Sequence, residues 1–176
     1  MDPIISLLRF ADTNQPILGE VYEGWDSMIE SVRSIILQSE CCEYETSPEA
    51  FFTNIQDILV SGWDKNCTPL HCLAHSFNPK YYNNEWMNDG PSRTFPPHMD
   101  DEISQGRKDA FRRIFQDRAS LDEVEDALAE FSTGTERFAG YDVIRDKGAN
   151  KPYSWWENHG ARIASLQQLA MRLLLR

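Results

Sequence analysis

Apolar residues recur at intervals of three and four through stretch after stretch of this chain, a period that fits helices and not strands. The clearest stripe lies within 20–38: Val21, Trp25, Met28, Ile29, Val32, Ile35 and Ile36, with Glu20, Glu23, Asp26, Glu30 and Arg33 off it. Ser47-Pro48-Glu49 then reads as a helix start. Serine can cap free N–H groups, proline suits the first turn, and an acid there complements the helix dipole. Its apolar face is Phe51, Phe52, Ile55, Ile58 and Leu59, with a stop expected near Gly62. Thr68-Pro69 repeats the start signal for a short helix bearing Leu70, Leu73, Ala74 and Phe77. Asn78-Pro79 ends it, because the residue before proline is pushed out of the helical region.

Residues 83–98 carry Asn, Gly and Pro at loop density. A helix is expected from about Asp100 to Asp117, with Ile103, Arg107, Ala110, Phe111, Ile114 and Phe115 inward and Asp100, Asp101 and Glu102 in the first turn. Ser120-Leu-Asp-Glu123 has the form of a capping box opening a helix through Phe131. Residues 132–151 are polar, with a short strand expected at 141–144. A last helix, about 162–175, carries Ile163, Leu166, Leu169, Ala170, Leu173 and Leu174 and reaches Arg176 without a stop signal. Such an ending reads as an interrupted helix, or more plainly as a terminal helix docked on the core. The expected fold class is mainly α, with at most one or two short strands.

Charge narrows the function. The 176 residues hold 17 Lys+Arg against 28 Asp+Glu, a net charge of −11. Broad nonspecific nucleic-acid binding needs clustered cations and is not the expected job. Residues 1–64 contain twelve acids and two bases, so the acidity is concentrated there. The densest basic cluster is Arg107, Lys108, Arg112, Arg113 and Arg118. No apolar run approaches the roughly 20 residues that span a bilayer, and no membrane partner is expected. Asp2 and Pro3, with no basic region beside them, do not resemble a signal peptide. Cysteines at 41, 42, 67 and 72 are too sparse for a disulfide scaffold, so reduced thiols in an intracellular compartment are expected.

Three groups of residues invite chemistry. Cys67, His71, Cys72 and His75 are zinc-ligand types, and His71 and His75 share a helical face. Cys72 points elsewhere, however, and no second ligand pair exists, so packing and hydrogen bonding are the expected roles. A Cys72–His75 nucleophile pair lacks a group to orient the base. Asp100-Asp101-Glu102 could hold a divalent ion, but a helix start explains the run. No glycine-rich phosphate loop is present. No cofactor, metal or catalytic residue is expected. Trp25, Trp63, Trp86, Trp155 and Trp156 are the third group. Adjacent Trp155 and Trp156 cannot share one helix face, so one ring is expected to meet another element or another chain.

The order of segments resembles the C-terminal half of plant hAT-family transposase-like proteins. The resemblance rests on Pro16-Ile-Leu-Gly19 with Val21-Tyr-Glu-Gly-Trp-Asp-Ser-Met-Ile29, on Trp63 through His75 continuing to Tyr82, on Pro97-His98 and Phe131-Ser132, and on Trp155-Trp-Glu-Asn-His-Gly160 followed by Leu166-Gln-Gln-Leu-Ala170. It implies the helical insertion region of a ribonuclease H-like transposase fold over 1–131, and the truncated start of the hAT C-terminal dimerisation region over 132–176. The family's three metal-binding carboxylates would lie outside this sequence, so the chain is expected to be no enzyme. Ser61-Gly62 departs from the basic residue usual before Trp63 in relatives.

The resemblance implies a nuclear, non-catalytic fragment that associates with itself or with related transposase-like proteins and meets DNA only indirectly. Trp155, Trp156, Leu166, Leus 169 and 173 are the expected interface, Leu169 and Leu173 being its test positions. An active transposase whose catalytic carboxylates lie elsewhere and a relic without function are the alternatives.

Overall fold

A computed structural model describes residues 2–38, 47–88, 95–149 and 151–175. Cys41 and Cys42 lie outside the described residues. The elements are α1 (Pro3–Ala11), α2 (Val21–Gln38), α3 (Pro48–Asn66), α4 (Pro69–Ser76), α5 (Asn84–Met87), α6 (Asp101–Ile114), α7 (Arg118–Thr133), α8 (Tyr141–Ala149), α9 (Pro152–His159) and α10 (Ala164–Leu174). Short 3-10 turns occupy Pro79–Tyr82, Pro97–Met99 and Glu136–Phe138. No strand occurs among the described residues.

The expected short strand at 141–144 is instead the first turn of α8. Four residues without a partner strand gain no ladder. As a helix, the segment lets Val143 pack on the core and brings Lys147 Nζ to the Phe131 carbonyl at 2.8 Å. The Ser120 capping box is also displaced. Asp117 is the N-cap of α7, and its Oδ2 accepts from both the Ser120 N–H and the Ser120 hydroxyl at 2.8 Å. A carboxylate one turn upstream outcompetes the serine. Gly62 does not stop α3, which continues through Trp63 to Asn66. The loop expected over 83–98 contains α5 and the Pro97–Met99 turn, while 89–94 lie outside the described residues. Helix α1 follows from Asp2, which caps Ile4 N–H at 3.0 Å, with Pro3 in the first turn.

The centre of the molecule is α4. Every residue from Cys72 to Pro79 is buried. It packs closely on α6, where Gly106 makes room: a Cβ there would sit 2.5 Å from Cys72 Sγ. The main core gathers Leu73 and Phe77, Phe111 of α6, Val124, Leu128 and Phe131 of α7, Trp155 and Trp156 of α9, and Leu166, Ala170 and Leu174 of α10. Gly134, with φ 66, gives α7 its left-handed C-cap and turns the chain toward Phe138.

Trp155 and Trp156 both turn inward and are fully buried. Trp155 donates to the Val143 carbonyl at 3.0 Å, and Trp156 to the Phe77 carbonyl at 2.7 Å. Their rings meet edge to face at 82°. Each therefore reaches a different element of the same chain. The N-terminal layer is thinner. Helix α1 packs mainly on α2 and buries no residue, α2 buries Tyr22 and Met28, and α3 buries Phe52. No helix among the described residues is long and apolar enough to cross a membrane.

Candidate binding cleft

A cleft of about 440 Å³ opens where α2, α3 and the start of α6 converge over α4. Its walls combine aromatic rings with carboxylates. Stripe spacing on α2 places Tyr22, Trp25 and Asp26 together, and α3 brings Trp63 opposite them. Trp25 and Trp63 stack at 5.2 Å with 29° between planes, and Tyr22 meets Trp63 edge-on at 5.2 Å. Tyr22 in turn lies 5.0 Å from His75, which stacks on Tyr81 at 4.1 Å, and Tyr81 meets Trp86 at 4.8 Å. The rings form one continuous chain from α2 to α5.

Glu102 ties this chain to α6. Its Oε2 accepts from the Tyr22 hydroxyl and its Oε1 from Trp63 Nε1, each at 2.9 Å. Asp100 takes the capping role expected of the acidic run, accepting from Ile103 N–H at 2.9 Å. Helix-start chemistry thus accounts for Asp100, whereas Glu102 reaches across to two other helices. Glu23, Asp26, Glu30 and Asp64 complete the acidic lining.

This concentration of negative charge shifts the titrating groups. The surrounding protein, then Glu23, Glu102, Asp100 and Glu30, push the Asp26 carboxyl up to about 7, although much of its side chain reaches water. Burial, the hydrogen bond to Glu102 and nearby carboxylates raise the Tyr22 hydroxyl far above its ordinary range, so it stays a donor. Burial pushes His75 down to about 3, against an opposing hydrogen bond at Gly19. It is a neutral ring near pH 7. Trp25 Nε1 and His75 Nδ1 are buried without a hydrogen-bond partner among the described residues.

The four Cys/His positions do separate jobs. His71 Nδ1 accepts from Thr68 N–H at 3.0 Å, closing the N-terminal turn of α4. Cys72 packs with Tyr22 and Ile103, with Cys67 beside them. Burial pushes the Cys67 thiol up to about 12 and raises Cys72 as well, so neither is poised as a thiolate. Among the described residues no group of three or more His, Cys, Asp or Glu is placed to hold a metal ion.

The structure thus gathers Trp25, Trp63, Trp86, His75, Asp100 and Glu102 around one cleft and leaves Trp155 and Trp156 in the core. Leu166 is also fully buried, while Leu169 and Leu173 keep partial exposure against that core. Sequence reasoning missed Tyr22 and Asp26 as site residues. Their signal was available: an aromatic residue and an acid four apart share a helix face. No protein-family model, curated protein or solved structure matches this chain.

Proposed function

We propose that this chain is a non-catalytic protein-association module whose cleft holds a Lys- or Arg-bearing segment of a partner. The observation that carries the reading is the clamped Glu102 beside stacked Trp25 and Trp63, with Asp26 at hand. Aromatic faces and carboxylates together favour an organic cation. The charge asymmetry fits a basic partner: acids crowd residues 1–64, while Arg112, Arg113 and Arg118 stand exposed at the far end of α6 and the start of α7. A second copy or a related chain can supply such a surface.

The hAT transposase-like resemblance supports association as the retained activity. In that reading residues 1–131 are the helical region of a ribonuclease H-like transposase fold, and 132–176 begin the dimerisation region of a nuclear protein. Leu169 and Leu173 are then the half-buried part of the α10 contact, with Leu175 beside them at 53% exposure.

Calorimetric titration with tetra-arginine tests the cleft. Saturable binding, weakened by Glu102→Gln and screened at about 0.5 M salt, is expected. Absence of binding, or equal affinity in Glu102→Gln, contradicts the reading.

A further inference from the structure

A second cavity, of about 310 Å³, lies between α6 and α7 and has the opposite electrical character. It is independent of the acidic cleft. Phe111 of α6 and Leu128 of α7 give it apolar walls. Among the described residues, three polar atoms on its lining residues are buried without a hydrogen bond of ordinary length: Arg107 Nη1, His98 Nδ1 and Ser132 Oγ, the last beside the Tyr82 hydroxyl. Leaving one such group unpaired in a protein interior costs about 1–3 kcal/mol, and more for a charged one. All three belong to residues that line this one cavity.

The fold explains how they converge. Arg107 stands one turn before Phe111 on α6, and Ser132 one turn after Leu128 on α7. His98 comes from the turn preceding α6, with its ring parallel to Tyr82 at 5.8 Å and its carbonyl accepting from the Ser104 hydroxyl at 3.2 Å. The groups facing His98 are cationic on two sides, Arg107 from α6 and Lys147 from α8, and burial with these two charges holds its imidazole below the ordinary value. Tyr82 covers its ring, and Glu125 of α7 is the acid on the cavity wall. No ion pair engages Arg107 among the described residues.

We propose that this cavity binds a small oxyanion carried on a short apolar stem. The guanidinium N–H, the Ser132 hydroxyl and the His98 ring N–H, in the tautomer that protonates Nδ1, supply donors to the oxygens. Phe111 and Leu128 cover the stem. Carboxylate and phosphate share this chemistry. Glu125 disfavours a second negative charge, so a monocarboxylate is the better fit.

The test adds phenylacetate or inorganic phosphate, separately, to the full chain while NMR follows the His98 imidazole and the Arg107 guanidinium. Phenylacetate is expected to shift both signals saturably. It is also expected to raise the His98 titration midpoint, because the bound anion offsets Arg107 and Lys147. Arg107→Gln should weaken binding about tenfold or more, and Ser132→Ala by a smaller factor. Saturation by phosphate with none by phenylacetate supports the oxyanion site and assigns it a free phosphate. No saturable shift with either at about 20 mM overturns the proposal. So does undiminished binding in Ser132→Ala together with Arg107→Gln, each with native circular dichroism.

Discussion

Trp63 on α3 donates its indole N–H to Glu102 on α6 at 2.9 Å, across 39 positions of sequence. The same carboxylate holds Tyr22 of α2, so one side chain joins three helices. Glu102→Ala removes both acceptors. Because the carboxylate is exposed, water replaces part of the loss, and a destabilisation of about 1 kcal/mol is expected in urea unfolding. Trp63 fluorescence should change in the folded variant as well.

Trp156→Phe removes the 2.7 Å bond to the Phe77 carbonyl and leaves a void where α4, α7 and α9 meet. The ring is fully buried. A loss of about 2–4 kcal/mol is expected by chemical denaturation, against under about 0.5 kcal/mol for a control at exposed Glu157.

Asp26 makes stability depend on pH in an unusual direction. Its folded-state carboxyl titrates near 7, above the ordinary value of 3.8. Between those limits the native chain holds a proton that the unfolded chain has lost. This group therefore lowers stability as pH rises from about 4 to about 7. Asp26→Asn should flatten that slope and raise the melting temperature at pH 8, which a thermal scan series measures.

Lys147 is buried at 3% exposure, and burial pushes its ammonium down to about 8 from 10.5. It lies 4.7 Å from the Phe131 ring centroid and bonds that residue's carbonyl. Between about pH 8 and pH 10.5 the unfolded chain holds the proton that the native chain has released, so stability from this group rises over that window. Lys147→Met should remove the rise and gain about 1 kcal/mol at pH 7, since the Phe131 carbonyl keeps the Gly134 N–H at 3.3 Å. Urea midpoints at pH 7 and 10 check both.

The helices were legible because stripes such as Val21–Trp25–Met28 and starts such as Ser47-Pro48 and Thr68-Pro69 act locally. The α8 segment was misread because Tyr-Asp-Val-Ile favours a strand by propensity, while Lys147 and Val143 reward a helix only once α7 lies beside it. The start of α7 was misplaced because two adjacent caps, Asp117 and Ser120, compete, and only geometry ranks them. The cleft was legible in pieces. Trp25, Trp63 and Glu102 each stood out, but 39 and more positions separate the α2 and α3 residues from Glu102, and nothing in the local pattern joins them.

Self-association through α10 is a separate expectation. Leu169 and Leu173 are half-buried against the chain's own core, so Leu169→Asp should cost about 1–3 kcal/mol of folding stability as well as weaken assembly. Sedimentation at micromolar concentration should show a dimer or larger species for the native chain and a shift toward monomer for folded Leu169→Asp.

The central claim is that the acidic aromatic cleft holds a cationic segment, and the indole resonances of Trp25 and Trp63 report on it most directly. Titration with tetra-arginine should move both signals on one saturating curve, leave the core indoles of Trp155 and Trp156 in place, and fail to do so in Glu102→Gln. Shifts spread evenly over the exposed carboxylates, with Trp25 and Trp63 unmoved, would contradict it.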